Sequence, residues 1–231
     1  MGIWAVVPVK ELDRAKERLA PLLPPALRRG LMVAMLEDVL LALIATQGLT
    51  GLAIVTVEPA ARRLAEKYGG RVIEIGARDG HTGAVAAAAQ ILTAEGAQGI
   101  LTVPGDIPLA TADEIAQLLA AHRAAPSFTI APSHDERGSN AVLCSPPDAV
   151  PLRFGEDSFF PHLEAAENRG IRPSVLRLPG IALDIDTPED LAAFAARRST
   201  TRASAFLAAN NLLQPPEQAA APTGDRWDDY A

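Results

Sequence analysis

The sequence predicts an α/β fold with a mixed, mostly parallel sheet and helices on both faces. Short β-branched runs alternate with longer segments of helical periodicity over roughly the first 130 residues, which is typical of strand–helix–strand units. The chain has 231 residues and is 48% hydrophobic, so it is long enough to bury one full core. A single domain of this class is therefore expected.

Eight apolar runs rich in β-branched residues are predicted as strands. They are residues 3–9, 52–57, 71–75, 99–105, 127–133, 140–145, 174–179 and 181–186. Less helix separates the later runs, which predicts that the sheet becomes mixed toward its far edge.

Six segments between these runs have helical periodicity: 25–46, 59–68, 82–95, 112–124, 158–169 and 188–197. The first is the clearest, because apolar residues recur every four positions from Leu27 to Leu43 and form a broad stripe suited to packing on a sheet. We expect the domain to cover residues 1–198. The extension 199–231 is expected to form one short helix and then a disordered tail over 214–231.

Composition narrows the class of protein. The formal charge of −7 and the pI near 5.1 argue against a nucleic-acid-binding surface. Cys144 is the single cysteine, so no disulfide framework is expected, and it fits a small buried residue. With no long apolar stretch and no basic leader, the sequence predicts a cytoplasmic protein that does not enter a membrane. A homodimer is the default expectation for assembly.

Two strand-to-helix junctions carry more carboxylates than helix capping needs. Thr111 and Glu114 form a predicted capping box. At the second junction Thr187 is the predicted cap, Pro188 fits the first helical position, and acids follow in the first turn. Three carboxylates are left without a structural role: Asp106, Asp184 and Asp186.

Asp184 and Asp186 are two residues apart, so on an extended strand their side chains point to the same side. Like charges on one face of a half-buried segment repel each other, and a divalent cation between them would remove that repulsion. Mg²⁺ typically binds one or two carboxylates together with water and substrate phosphates. A metal site and ordinary loop solvation are both open for this pair, and Asp106 alone also fits a simple turn.

A cluster of basic residues follows the first predicted strand. Lys10, Arg14, Lys16 and Arg18 lie within nine residues. The loop after the first strand of an α/β sheet is where nucleotide phosphates usually bind. Neither a P-loop nor a dinucleotide-binding fingerprint is present. The alternative is a solvated helix start, in which neighbouring acids pair with these bases.

Five motifs, in order, resemble the CofC/FbiD guanylyltransferases. They are VPVK-LDRAK-RLAP at 7–21, DIPL at 106–109, NAVL at 140–143, RFGEDSF at 153–159 and ALDIDTPEDL at 182–191. The resemblance implies a Rossmann-like, GT-A-like nucleotidyltransferase domain. It also implies Mg²⁺-dependent transfer of GMP from GTP to a three-carbon phospho-acid in coenzyme F-420 biosynthesis, with release of pyrophosphate. The acceptor stays open among 2-phospho-L-lactate, phosphoenolpyruvate and 3-phospho-D-glycerate.

The resemblance also assigns roles to single residues. Metal-binding and catalytic positions are Asp106, Asp184 and Asp186, with Lys16 as the catalytic phosphate-binding lysine. GTP-binding positions are Lys10, Lys16, Arg18, Gly80, Thr82 and Asp106. Acceptor-binding positions are Ser139, Gly155 and Ser158. The family's Gly-Leu-Asn is replaced here by Gly80-His81-Thr82, which leaves the nucleobase contacts open, and His81 is expected to be a loop substitution.

The implied chemistry needs no general base, because a phosphate monoester is largely ionised at pH 7. Two alternatives to the guanylyltransferase remain. One is a nucleotidyltransferase of the same fold that acts on the molybdenum cofactor or a sugar phosphate. The other is a non-catalytic nucleotide-binding regulator, which is favoured by Thr82 alone.

Overall fold

One mixed sheet organises the computed structural model, which describes residues 2–155 and 157–212. Its strands are β1 (Ile3–Pro8), β2 (Leu49–Val55), β3 (Arg71–Ile73), β4 (Gly99–Thr102), β5 (Ser127–Pro132), β6 (Ser139–Ser145) and β7 (Ser174–Val175). Their spatial order is β3-β2-β1-β4-β6-β5-β7. Strands β1 to β4 pair in parallel, whereas β6 runs antiparallel to both β4 and β5. The predicted mostly parallel sheet that becomes mixed toward one edge is confirmed.

All six predicted helices form, and the helices are α1 (Pro25–Ala45), α2 (Pro59–Lys67), α3 (Gly80–Ala94), α4 (Ala112–Ala121), α5 (Phe159–Glu167), α6 (Pro188–Ala196) and α7 (Arg202–Ala209). Two short 3₁₀ helices, Leu12–Arg14 and Glu17–Leu19, occupy the loop after β1. Among the described residues, no helix combines the length and the apolar character needed to cross a membrane.

The two faces of the sheet bury different helices. On β1, Ala5 and Val7 belong to the larger core and Val6 to the opposite one, as the two-residue period of a strand requires. Helices α1, α2, α4, α6 and α7 cover the first face, and α3 and α5 cover the second. Cys144 is fully buried on the second face, as predicted.

The predicted strand over 181–186 is wrong. The Ala182 N–H donates to the Leu178 carbonyl at 2.8 Å, which makes a turn. The carbonyls of Ile181 and Ala182 accept from the Asn140 side-chain amide at 3.0 and 3.2 Å. The Ala182 carbonyl also accepts from the His134 N–H at 2.9 Å. The backbone groups of this segment are thus bonded to a turn, a side chain and separate loops and not to one neighbouring strand. The run predicted over 174–179 keeps two strand residues, Ser174–Val175.

Helix α7 packs against α1 and lies within the predicted C-terminal extension. The buried Asp38 carboxylate on α1 accepts hydrogen bonds from the backbone N–H groups of Arg202 and Ala203, at 2.8 and 2.9 Å. These bonds join the beginning of α7 to the core helix. The boundary at residue 198 stays a prediction, and the tail predicted over 214–231 lies outside the described residues.

His122, which follows α4, joins that helix to the sheet. Its ring nitrogens hydrogen-bond to Thr129 Oγ1 and Ser145 Oγ, both at 2.9 Å. Burial lowers the pKa of His122 from 6.5 to about 4. Between these two values the unfolded chain holds a proton at this residue that the folded protein does not. The stability that the neutral ring contributes is therefore present above pH 6.5 and is lost as the pH falls toward 4.

We expect the stability gap between the wild type and a His122→Gln variant to shrink on acidification from about pH 7.5 to about pH 4.5. The variant lacks the titrating ring, so below pH 6.5 the gap should close by up to about 1.4 kcal/mol per pH unit. Urea unfolding at several pH values measures the gap. A gap that stays constant over the range would contradict the assignment of a neutral, half-buried ring.

Candidate active site

A cleft of about 960 Å³ opens beside the carboxyl ends of β1 and β4, where α/β sheets usually bind ligands. The loops before β6 and α5 and the segment before α6 close its other sides. Ten of the sequence-predicted site residues line it: Lys10, Arg18, Gly80, Thr82, Asp106, Ser139, Gly155, Ser158, Asp184 and Asp186. Residues from six separate parts of the chain are thus brought to one place.

The basic loop after β1 is held by buried polar contacts. The Glu58 carboxylate at the start of α2 accepts from the Leu12 N–H at 3.0 Å and pairs with the Arg29 guanidinium at 2.6 Å. The Arg28 guanidinium donates to the carbonyls of Ala15 and Leu23. These bonds fix the course of the loop over α1.

Lys16 is the point where this loop meets the acidic residues. It lies between the two 3₁₀ helices in the left-handed region, with φ 52° and ψ 46°. Its Nζ lies 2.5 Å from a carboxylate oxygen of Asp106 and 2.5 Å from one of Asp186, and its side chain is 6% exposed. Both carboxylates raise the pKa of Lys16 against the opposing effect of burial. Lys16 therefore bridges the two acidic corners as a buried ammonium.

Asp184 is held by a neutral partner, the Asn140 amide. Its Oδ1 accepts from the Asn140 amide at 3.0 Å. Burial, then the negative charges of Asp106 and Asp186, raise the pKa of the Asp184 carboxyl above its usual value. The Ile185 N–H donates to the Asp106 carbonyl at 3.1 Å, which joins the two corners through the backbone. Too little positive charge surrounds Asp184 to stabilise its ionised form.

The carboxylates fit a divalent cation by chemistry, although no preformed group of three His, Cys, Asp or Glu ligands occurs among the described residues. Asp106 and Asp186 share the Lys16 ammonium, whereas Asp184 is bonded to the neutral Asn140 amide. The Oδ1 atom of Asp106 is buried without a hydrogen-bond partner. A hard cation such as Mg²⁺ binds oxygen ligands of this kind and would supply the missing charge.

The helix-capping part of the prediction is confirmed at both junctions. Thr111 and Glu114 form a capping box at α4, and Thr187 and Asp190 form one at α6. The Asp190 carboxylate also accepts from the Asp186 N–H at 3.1 Å. The caps thus fix the backbone beside the acidic cluster without using its carboxylates.

The three predicted acceptor residues lie together on the opposite wall of the cleft. Ser139 begins β6 and is buried, and Ser158 Oγ donates to Ser139 Oγ at 3.1 Å. Gly155 faces open space, since a Cβ added to it would meet no atom within 4 Å. Small side chains here leave backbone N–H groups accessible to a bound anion.

The beginning of α3 differs from the expectation at His81. This residue is the second of α3, not part of a loop. Its ring stacks on Phe154 with the centroids 4.3 Å apart, and its Nε2 is buried without a partner. Burial lowers the pKa of His81 to about 4. Thr82 Oγ1 accepts from the Phe154 N–H at 2.9 Å, so this position holds the loop before α5.

Sequence reasoning gave no role to Asn140 and Phe154, which line the cleft, or to His162, which hydrogen-bonds to Ser139. Asn140 orients Asp184, and His162 contacts both Ser139 and the loop before α5. A signal for His162 was available, because it lies on the buried face of α5 with Phe159 and Ala166. A polar residue on such a face needs hydrogen-bond partners.

Comparison with known proteins places the chain in a family. The family model for guanylyl transferases described as CofC like matches residues 3–222. A phosphoenolpyruvate guanylyltransferase from Rubrobacter xylanophilus is 40% identical over 195 residues, covering 83% of this chain and 93% of the relative. A 3-phospho-D-glycerate guanylyltransferase from Colwellia psychrerythraea is 35% identical over 186 residues, covering 80% and 88%.

Solved structures support the same fold. A Desulfovibrio desulfuricans protein named for nucleotide-diphospho-sugar transfer superposes with a TM-score of 0.71 and 17% identity, covering 92% of this chain and 96% of that one. At that identity the likeness concerns the fold, while the family match and the relatives concern the chemistry. The chain is a nucleotidyltransferase and belongs to the CofC-like guanylyl transferase family.

Proposed function

We propose that the protein transfers GMP from GTP to the phosphate of a three-carbon phospho-acid and releases pyrophosphate. The observation that carries the proposal is the cleft itself. It joins a basic loop and an acidic cluster on one side to a wall of serine and glycine on the other. Phosphoenolpyruvate is the first candidate acceptor, since the relative named for it is more similar than the one named for 3-phospho-D-glycerate.

In this proposal the triphosphate lies along the basic loop. Lys10 and Arg18 face the cleft, where they can neutralise phosphate oxygens through charge-assisted hydrogen bonds. The beginning of α3, at Gly80 and Thr82, lies beside this loop and would hold the nucleoside part. The positive end of that helix adds to the attraction for an anion.

The acceptor's carboxylate and phosphate would bind at Ser139, Ser158 and the backbone of Gly155 on the opposite wall. From there a phosphate oxygen attacks the α-phosphorus of GTP, and the bond to the pyrophosphate oxygen breaks. The attacking oxygen is already ionised near neutral pH, so no side chain has to remove a proton. Catalysis then depends on positioning and on neutralising charge, and Lys16 is the buried cation available for this.

Asp106, Asp184 and Asp186 would hold Mg²⁺ in this proposal, because they supply oxygen ligands and an excess of negative charge. When bound, the ion supplies neutralising charge for the phosphate oxygens and polarises the reacting phosphorus. The reaction product fits the step that the family resemblance implies in coenzyme F-420 biosynthesis.

A substrate panel tests the proposal. The protein is incubated with Mg²⁺, each of the four common nucleoside triphosphates and each acceptor, namely the three acids, a sugar phosphate and molybdopterin. Released pyrophosphate and nucleotide binding are measured. We expect turnover with GTP and the highest rate with phosphoenolpyruvate. Turnover with a sugar phosphate or with molybdopterin and with none of the acids would favour the molybdenum-cofactor or sugar-phosphate alternative. Nucleotide binding without any release would favour the regulator.

A further inference from the structure

His162 occupies a central place behind the acceptor wall. It lies on α5, is 1% exposed, and packs edge-on against Phe154 with the ring centroids 5.1 Å apart. Both ring nitrogens are hydrogen-bonded: Nδ1 to Ser139 Oγ and Nε2 to the backbone nitrogen of Arg153, each at 2.9 Å. A buried ring with two such bonds connects the first residue of β6 to the loop that carries Gly155.

The second of these bonds fixes the tautomer of the ring. A backbone N–H can only donate, so the Arg153 N–H requires a lone pair on His162 Nε2. Burial, with a smaller contribution from His81, lowers the pKa of His162 to about 4, so the ring is neutral near pH 7. A neutral imidazole carries one proton. That proton is on Nδ1, which donates to Ser139 Oγ.

The tautomer in turn determines what Ser139 can do. Its oxygen accepts from His162 Nδ1–H and from the Ser158 hydroxyl. A hydroxyl has two acceptor positions and one proton, so both acceptor positions are used. Ser139 also lines the cleft. The Ser139 hydroxyl proton is therefore the only part of this group still able to form a hydrogen bond, and it can point into the cleft.

We propose that His162 is a positioning residue that turns Ser139 into an obligate hydrogen-bond donor toward an anionic oxygen of the acceptor. The inference rests on the proposed function, because it names the acceptor as the ligand of this wall. The same ring holds the Arg153 amide while Thr82 holds the next one, at Phe154. The backbone N–H groups of the two residues that precede Gly155 in the chain are therefore held in place. The wall then favours ionised carboxylate or phosphate oxygens over groups that can only donate.

A direct test reads the tautomer in the unmodified protein. Nitrogen-15 NMR of histidine-labelled protein near pH 7 should show His162 with a protonated Nδ1 and an unprotonated Nε2, the less common form in free histidine. The signal is assigned from its loss in a His162→Phe sample, or in His162→Asn if the phenylalanine variant does not fold. A proton on Nε2, or a ring with both nitrogens protonated, would overturn the proposal whatever the enzyme's activity.

A double-mutant cycle tests the link to Ser139. His162→Phe keeps a ring for packing but loses both hydrogen bonds, and we expect it to raise the acceptor KM about tenfold or more with the GTP KM unchanged. Ser139→Ala should have a similar effect. In the double variant the second change should add less than about twofold, because His162 acts through Ser139. His162→Asn, which keeps a donor near Nδ1, should recover part of the loss.

Three results would overturn the link. The first is an acceptor KM in the double variant that rises by the product of the two single effects. The second is a His162→Phe variant in which the acceptor KM and the GTP KM rise equally. The third is a His162→Phe variant that loses thermal stability with unchanged kinetics. A wild-type protein that releases no pyrophosphate with any acid would instead refute the proposed function, while the NMR experiment still decides the tautomer. The two failures are therefore distinguishable.

Discussion

Replacing Asp184 by Asn is expected to remove most of the transferase activity while the protein stays folded and at least as stable as the wild type. The carboxylate of Asp184 is partly buried beside two like charges. Burial and then those charges raise its pKa, so its ionised form destabilises the fold. An amide of the same shape removes that charge. Its oxygen can still accept from Asn140, which lies 3.0 Å from Asp184 Oδ1.

Activity should fall although stability does not, because a cation at the phosphates would need the negative charge on Asp184. We expect kcat/KM for GTP to fall at least about 100-fold, the size found when one group that stabilises transition-state charge is lost. Pyrophosphate release gives the rate, and thermal unfolding gives the stability.

Glu189→Gln is the matched control, since Glu189 lines the same cleft and the charge change is identical. Glu189 is not one of the three carboxylates proposed to hold Mg²⁺, so this variant should keep its rate within a few-fold. Near-normal turnover in Asp184→Asn would refute the charge role of Asp184. An equal loss in both variants would indicate that the overall potential of the cleft matters more than this residue.

The parts of the fold that follow from local chemistry were predictable. The apolar period of α1 and the two capping boxes at α4 and α6 depend on residues close together in the chain. The excess of carboxylates beside those caps was also visible without a structure. Once the caps are accounted for, Asp106, Asp184 and Asp186 have no local role, and the structure places all three in the cleft.

The parts that were missed depend on partners far apart in the chain. Residues 181–186 have the composition of a strand, but their backbone groups bond to a turn, to the side chains of Asn140 and Asp190, and to the backbone of separate loops. His162 is 23 residues from Ser139. His81 stacks on Phe154, which belongs to the loop before α5. No periodicity or spacing encodes such contacts, because each depends on how the sheet brings separate loops together.

Lys16 should prove important for both stability and catalysis. Replacing it by Met keeps the aliphatic stem but removes the ammonium that lies 2.5 Å from both Asp106 and Asp186. We expect the free energy of unfolding to fall by about 2 kcal/mol, less than for a fully buried pair, since the Asp186 side chain is 45% exposed. The kcat with GTP should fall about 100-fold, because a fixed cation beside the phosphates is lost. A wild-type kcat would contradict this role.

Adding Mg²⁺ to the same variant separates the two roles. If the ammonium and the metal share the oxygens of Asp106 and Asp186, they compete, so Lys16→Met should bind Mg²⁺ more tightly than the wild type in the absence of GTP. Mg²⁺ should then raise the melting temperature of the variant by more than that of the wild type. Lys10→Met is the matched control, because Lys10 is exposed in the same loop and should change neither stability nor metal affinity. If Mg²⁺ raised the melting temperature equally in all three proteins, the metal would bind oxygens that Lys16 does not contact. The lysine would then act on the phosphates alone.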